Sequence, residues 1–457
     1  MEQETGALGI IVERDVPVPM RDGITLRANV FRPDSSGRFP ALVQRTPYGK
    51  AQGGFEDFVR AGYVVVTQDT RGRYASEGEF RVFSEENTGD AEDGYDTVEW
   101  AAVQPWCDGK VGTFGASYNA WMQYQLARLR PPHLVAMSAV SIPTELTDLD
   151  WPRAFKPARR VKWWVTTIAP DLRRRKGLPP PHTPAEAAKI WDELELGRML
   201  ALLPWINVAR YLPAPLADQV AGWLRHPDRR PWRFEEAHRD IEVPNLDFTG
   251  WFDHCCSIGQ FIGMRGNART EKARNQTKVS IGPWNHVSPG RRTQGDFDFG
   301  PDAEVNVQQM QIRWFDYWLK GIDNGVPREP PVRYFVMGSG RWKSAETWPP
   351  PNLGRMTLYL AGEGDADLPD GFGALGHEPP KNGPPDTYTH DPFDPVPTLW
   401  DTAYFYNVSD RRRLDHRKDV LRYCTAPLKE DVEVVGNPEV VLYAASSAVD
   451  TDFFARL

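Results

Sequence analysis

The chain of 457 residues carries 54 Lys and Arg against 62 Asp and Glu, a formal net charge of -8 at pH 7. Its 40% of hydrophobic residues is typical of a globular protein, and the length predicts roughly two or three domains. The acidic balance argues against nucleic acid as a partner, because phosphate binding requires a concentrated basic surface. Since we find neither an apolar signal-peptide core nor a run long enough to span a membrane, we expect a cytoplasmic protein without a membrane partner.

Short β-rich runs alternate with helical segments in the first third of the chain. Residues 40–45 and 62–68 are nearly continuous apolar runs, which is typical of strands buried on both faces of a parallel sheet. Residues 91–103 form an amphipathic stretch that begins with acidic side chains, as expected of a crossover helix. This alternation predicts a parallel sheet covered by helices.

A serine stands at the turn between a predicted strand and a predicted helix. The strand-like run 110–114 leads into Gly-Ala-Ser-Tyr at 115–118, and a helical segment covers 121–127. Small residues before Ser117 suit the sharp strand-to-helix turn that carries a hydrolase nucleophile. The match to Gly-x-Ser-x-Gly is incomplete, because Asn119 replaces the second glycine. The motif alone therefore leaves an ordinary loop serine as an equal alternative.

Two later strand ends supply the partners that a serine nucleophile requires. Such a serine needs a base, usually histidine, and a carboxylate that orients it, and in α/β-hydrolases they follow in the order Ser, Asp or Glu, His. Asp253 follows the strand-like run 245–249, and His286 follows the run 277–281. Alone, such an aspartate is most often a helix cap and such a histidine a structural residue. Their joint placement after Ser117 favours a catalytic triad.

The remaining chain divides by composition. The segment from about 145 to 240 is rich in Trp, Arg, Leu and Pro with helical spacing. Further along the chain, alternating runs such as 356–360 and 432–435 favour an antiparallel β-sandwich. A helix is predicted from about 303 to 319. We therefore expect an α/β-hydrolase domain in two parts, residues 1–144 and 241–348, with a helical cap inserted at 145–240 and a C-terminal β-sandwich at 349–457.

An oxyanion hole requires two donors aimed at the developing negative charge. One candidate is the backbone N–H of Tyr118, directly after the serine. The other is the hydroxyl of Tyr48, in the loop after an early strand. By itself, a tyrosine after a proline is more often a packing residue.

Five ordered motifs resemble the CocE/NonD family of serine hydrolases, which includes cocaine esterases and Xaa-Pro dipeptidyl-peptidases. They are Arg-Thr-Pro-Tyr at 45–48, Gln-Asp-Thr-Arg-Gly at 68–72 with Ala-Ser-Glu-Gly-Glu-Phe at 75–80, Gly-Ala-Ser-Tyr at 115–118, Gly-Trp-Phe-Asp at 250–253 and Gly-Pro-Trp-Asn-His at 282–286. The resemblance implies Ser117 as nucleophile, Asp253 as orienting carboxylate, His286 as general base, and Tyr48 with Tyr118 as the oxyanion hole. It also implies an α/β-hydrolase fold with a helical cap and a C-terminal jelly roll.

The chain departs from the family pattern in two places. Ala120 replaces the last glycine of the elbow, for which we expect a small packing adjustment. Family members also continue beyond the point that corresponds to residue 457. We therefore expect a truncated jelly roll with an unpaired edge and an exposed apolar face.

The aromatic residues of the cap favour an apolar acyl or aryl group in the substrate, although tryptophans at such positions are core residues at least as often. The candidate pocket residues are Trp151, Trp163, Trp164 and Trp251. The neutral residues 254–256 after Asp253 argue against specialisation for α-amino-acid esters, whose ammonium needs carboxylates. Glu145, Asp148 and Asp150 are acidic candidates for binding a free amine.

These features predict a serine esterase or amidase that works through an acyl-enzyme, without a metal or organic cofactor. The expected partner is a small ester or amide, or a short peptide, and a homo-oligomer stays open. The alternative enzyme is an Xaa-Pro dipeptidyl-peptidase. A protein of another class, a non-catalytic binding protein with a hydrolase fold, is disfavoured because it would not need all three triad members.

Overall fold

The computed structural model describes two compact units, one comprising Met1–Lys343 with Leu399–Ser409 and the other Ser344–Thr398 with Asp410–Leu457. The described residues are 9–82, 89–142, 158–195, 204–214, 216–225, 237–253, 258–362, 364, 366–367, 371–397, 399 and 408–457.

A ten-stranded mixed sheet forms the centre of the first unit, in the order β1-β2-β4-β3-β5-β6-β7-β8-β11-β12. The strands, including a small β9–β10 pair, are β1 (Ile10–Pro19), β2 (Thr25–Pro33), β3 (Phe39–Thr46), β4 (Val64–Asp69), β5 (Cys107–Ala116), β6 (Leu134–Val140), β7 (Asn245–Phe252), β8 (Lys278–Asn285), β9 (Thr293–Gln294), β10 (Phe297–Asp298), β11 (Val332–Val336) and β12 (Arg341–Ala345). β2 pairs antiparallel with both β1 and β4, whereas the neighbours from β4 through β11 pair in parallel.

Helices cover the sheet, and several of them lie between β6 and β7 in chain order, in the segment predicted as a cap. They are α1 (Glu56–Arg60), α2 (Asp90–Ala102), α3 (Tyr118–Ala127), α4 (Ala158–Trp163), α5 (Ala169–Arg175), α6 (Pro184–Glu195), α7 (Leu216–Arg225), α8 (Ile258–Asn267), α9 (Glu271–Gln276) and α10 (Val307–Lys320), with a π-helix over Trp164–Ile168. Short 3-10 helices cover Trp205–Tyr211, Ala237–Asp240, Pro301–Ala303 and Val326–Arg328. In the described ranges, no helix is both long enough and apolar enough to cross a membrane.

The apolar runs form strands because both faces of the sheet are covered. In β4, Val64 and Val66 join the core beneath α2 and α3, whereas Val65 joins the core beneath α1 and α10. All six residues of β4 are buried. The structure thus confirms the α/β fold class, and α2 coincides with the predicted crossover helix.

The second unit contains a small sheet of β13 (Tyr359–Ala361), β14 (Gly373–Gly376) and β15 (Tyr423–Cys424), with a 3-10 helix at Arg411–Leu414. Of the strand predicted at 356–360, only the last two residues belong to a strand, β13. The strand predicted at 432–435 is wrong, since those residues form no strand. Val432 and Val434 are both exposed. Alternation specifies which face a side chain would occupy but supplies no neighbouring strand to pair with. The jelly roll stays a prediction.

β7 and β8 approach each other closely near their ends, just before Asp253 and His286. A Cβ added to Gly250 would lie 2.1 Å from the carbonyl oxygen of Trp284, and the strand register shifts between Gly250 and Phe252. Only a glycine fits here, because no backbone atom of the neighbouring strand can yield so far without distorting the sheet.

We therefore expect Gly250→Ala to lower the free energy of unfolding by about 1–3 kcal/mol through overpacking. Thermal unfolding measures the effect. Gly222→Ala in α7 is the matched control, because its added Cβ meets no atom within 4 Å and alanine favours a helix. Equal melting temperatures for Gly250→Ala and the unsubstituted protein would contradict the packing argument.

Candidate active site

Ser117 occupies a sharp turn between β5 and α3. Its backbone has φ 57° and ψ -123°, a sparsely populated conformation for a non-glycine residue. Its N–H donates to the carbonyl of Val140 in β6 at 2.8 Å. A Cβ added to Gly115 would lie 2.6 Å from Cβ of Asn119, so the first small residue of the motif is required by a close approach. Ala120, at the altered glycine position, is fully buried in α3.

The structure brings Asp253 and His286 to this serine. His286 Nε2 lies 3.0 Å from Ser117 Oγ, and His286 Nδ1 lies 2.8 Å from Asp253 Oδ1. The imidazole is 7% exposed and the Asp253 side chain is fully buried. When Asp253 accepts the proton on Nδ1, Nε2 is left to accept the hydroxyl proton of the serine. This arrangement can activate a nucleophile.

The loop that carries His286 is held by two amides. The side-chain oxygen of Asn285 accepts from the N–H groups of Val287 at 3.0 Å and Ser288 at 2.9 Å. Buried Gln294 accepts from the N–H of Asn285 at 3.0 Å and donates to the carbonyl of Ser288 at 3.1 Å. The sequence analysis missed Gln294, and its one signal is a polar residue shortly after the histidine.

The Tyr48 loop follows β3 and is held from below by Asp69, the last residue of β4. The N–H of Lys50 donates to Asp69 Oδ1 at 2.6 Å, and Lys50 Nζ lies 2.7 Å from Oδ2. The N–H of Tyr48 donates to Thr46 Oγ1 at 3.2 Å. Half-buried Tyr48 therefore sits on a loop whose backbone is fixed at two points.

The predicted pocket tryptophans have different surroundings. Trp163 is buried between the two candidate oxyanion residues, its ring centre 6.4 Å from that of Tyr48 and 6.5 Å from that of Tyr118. Trp164 is also buried in the apolar core. Half-buried Trp251 donates its indole N–H to the carbonyl of Phe335 at 2.7 Å. Trp151 lies outside the described residues, as do 254–256 and the acidic candidates at 145, 148 and 150.

A buried polar cluster lies beneath Tyr118. The Tyr118 hydroxyl donates to Asp90 Oδ2 at 3.0 Å, and the Asp90 carbonyl accepts from Arg45 Nη1 at 2.7 Å. Asp93 lies 3.6 Å from Arg45 and 2.6 Å from Arg71. Burial raises the pKa of Asp90 to about 7, against the opposing effect of Arg45.

Comparison with protein families identifies the chain. The S15 family of X-Pro dipeptidyl-peptidases matches residues 22–288. The C-terminal non-catalytic domain of X-Pro dipeptidyl-peptidases matches residues 324–457. The chain belongs to the S15 family. It is therefore a serine hydrolase, and its resemblance to the CocE/NonD hydrolases is confirmed.

Individual relatives agree with this assignment. A cocaine esterase from a Rhodococcus species is 34% identical, over 98% of this chain and 80% of its own length. A putative serine esterase from Mycobacterium tuberculosis is 26% identical, over 96% of this chain and 77% of its own. The solved structure of an aminopeptidase from a marine sediment archaeon, Thaumarchaeota archaeon, shares the fold with a TM-score of 0.70 and 20% identity, over 94% of this chain and 74% of that one.

The raised pKa of Asp90 makes stability depend on pH with a defined sign. Between the unfolded value of 3.8 and the folded value of about 7, the native chain keeps a proton that the unfolded chain has lost. The contribution of Asp90 to stability is therefore full below pH 4 and falls as the pH rises to 7.

As the pH rises from about 4 to 7, the free energy of unfolding of Asp90→Asn should rise relative to that of the unsubstituted protein. The gain is at most about 4 kcal/mol, since a tenfold change in proton affinity corresponds to about 1.4 kcal/mol. Denaturant unfolding at pH 4, 5, 6, 7 and 8 measures the difference. A difference that stays constant from pH 4 to 8 would show that Asp90 does not keep its proton in the fold.

Proposed function

We propose that this S15 family member hydrolyses carboxylic esters or amides through an acyl-enzyme on Ser117. One observation carries the proposal: His286 lies within hydrogen-bond distance of both Ser117 Oγ, at 3.0 Å, and Asp253 Oδ1, at 2.8 Å. In this proposal His286 is the general base, and Asp253 orients its ring and stabilises the imidazolium.

Acylation begins when Ser117 Oγ attacks the carbonyl carbon and its proton passes to His286 Nε2. The tetrahedral intermediate collapses as the imidazolium returns that proton to the leaving alcohol or amine. Water then attacks the acyl-enzyme, again losing a proton to Nε2, and the second tetrahedral intermediate collapses to the carboxylic acid as the imidazolium returns that proton to Ser117 Oγ. No metal or organic cofactor enters these steps.

Two donors face the oxyanion in this proposal, the Tyr48 hydroxyl and the backbone N–H of Tyr118. Tyr118 is the first residue of α3, where backbone N–H groups point out of the helix end and favour negative charge. The Tyr48 loop is fixed by Asp69 and Thr46, which supports a preorganised donor.

We favour esters over Xaa-Pro peptides as substrates. The supporting observation is that the named esterases match at least 96% of this chain. Xaa-Pro dipeptidyl-peptidase activity is the second candidate, because the family match from 22 to 288 carries that description.

The nucleophile is tested with Ser117→Ala and a p-nitrophenyl acyl ester. The unsubstituted protein should give a burst of p-nitrophenol, and a fluorophosphonate probe should label Ser117. Loss of the hydroxyl should lower kcat by about 10⁶-fold, as for other serine hydrolases. His133→Gln is the control for a histidine outside the site, because His133 pairs with Glu99 at 2.7 Å. Unchanged hydrolysis by Ser117→Ala would refute the proposed nucleophile, and absence of labelling would favour a binding protein.

The substrate class is tested by comparing kcat/KM for p-nitrophenyl butyrate, phenyl benzoate, an alanyl ester and Ala-Pro-p-nitroanilide. We expect the neutral esters to be the better substrates by about tenfold or more, because an uncompensated buried ammonium is unfavourable. A higher kcat/KM for Ala-Pro-p-nitroanilide would instead establish the peptidase.

A further inference from the structure

Arg73 is a charged residue with no exposed surface, in the loop that follows β4. Its guanidinium donates to three backbone carbonyls: Nε to Pro47 at 2.8 Å, Nη1 to Ile168 at 2.7 Å and Nη2 to Thr167 at 3.4 Å. The carboxylate of Asp171 lies 3.8 Å from Nε. A buried charge is unfavourable unless hydrogen bonds and a counter-charge compensate it. Here both are present, and they join two segments that are distant in sequence.

The first segment is the peptide bond that precedes Tyr48. Arg73 holds the carbonyl oxygen of Pro47, and Thr46 Oγ1 accepts from the N–H of Tyr48 at 3.2 Å. These are the two polar groups of one planar peptide unit. Holding both fixes the orientation of that plane and thereby the direction in which the Tyr48 side chain leaves the backbone.

The second segment is the part of the cap that packs against Tyr48. Thr167 and Ile168 lie in the π-helix that directly follows Trp163. The Trp163 ring meets the Tyr48 ring edge-on, with 6.4 Å between centres. Arg73 therefore anchors the backbone of Tyr48 and the helix that presents the ring packed against it.

We propose that Arg73 is a positioning residue for the hydrolysis, which holds the Tyr48 hydroxyl where the oxyanion forms. This role rests on the proposed function of Tyr48 as an oxyanion donor. Arg73 acts through the Pro47 carbonyl and the cap and touches no reacting atom. Its removal should therefore impair the transition state more than the binding of substrate.

A double-mutant cycle between Arg73→Lys and Tyr48→Phe tests this role. Lysine keeps the charge but cannot span both segments as the planar guanidinium does. Tyr48→Phe should lower kcat by about 10²- to 10³-fold, as for loss of an oxyanion donor. Arg73→Lys should lower kcat by about ten- to a hundredfold with KM nearly unchanged. With the phenylalanine in place, Arg73→Lys should lower kcat by no more than about a further twofold.

Arg71→Lys is the matched control, because Arg71 lies in the same loop but pairs with Asp93 and Asp22. In the double variant, the fold-losses in kcat from Arg71→Lys and from Tyr48→Phe should multiply, as for independent effects. Asp171→Asn is a second, milder variant that leaves Arg73 in place and removes its counter-charge. If Arg73→Lys does not fold, Asp171→Asn replaces it in the cycle, with the same expected non-additivity.

The outcomes separate this inference from the function on which it rests. Equal fold-losses from Arg73→Lys with and without the Tyr48 hydroxyl would overturn the positioning role and leave a structural one. An unchanged kcat in Tyr48→Phe, with activity lost in Ser117→Ala, would overturn the oxyanion role of Tyr48 and the role of Arg73 with it. No burst from the unsubstituted protein would overturn the proposed function itself.

Discussion

The backbone conformation of Ser117 is the constraint on which the rest of the site depends. A residue in such a conformation costs about 1–3 kcal/mol and persists only where its surroundings impose it. Here β5 and α3 pack in the core on either side of Ser117, and the N–H of Ser117 donates to the carbonyl of Val140. The strained turn directs Oγ away from the sheet edge, where His286 Nε2 meets it at 3.0 Å.

The topology explains why three distant positions meet at this point. β5, β6, β7 and β8 are parallel neighbours, so the residues that follow them leave from the same edge of the sheet. Direction alone does not fix a side chain to within a few tenths of an ångström. Buried polar contacts add that precision, with Gln294 holding the histidine loop and Asp69 holding the tyrosine loop. The sheet brings the loops together, and the buried side chains orient them.

The sequence was sufficient to predict which three side chains meet at 3.0 and 2.8 Å, because each carries a local signal. Ser117, Asp253 and His286 each follow a strand-like run, and apolar runs predict strands. For Gln294 and Arg73, position in the sequence does not identify a role, because their partners are backbone carbonyls and N–H groups that come near only after folding. The prediction of a strand at 432–435 was wrong for a related reason. Alternating polarity describes the faces of a single strand, whereas a strand in a sheet also needs a neighbour to pair with. The sequence likewise did not predict the surroundings of Trp163, which was expected in the pocket and is buried between Tyr48 and Tyr118.

The use of charged side chains in the core follows from what loops require. A loop carbonyl has no ladder partner, and burying it unpaired costs about 1–3 kcal/mol. An apolar residue at position 73 would leave the loop carbonyl of Pro47 without the donor that Arg73 supplies, and would remove the donors to Thr167 and Ile168 in the π-helix. The rigid fork of a guanidinium satisfies carbonyls on two segments at once, so the distance between them is set by one side chain. One buried side chain therefore joins the Tyr48 loop to the π-helix after α4, as the proposed role of Arg73 requires.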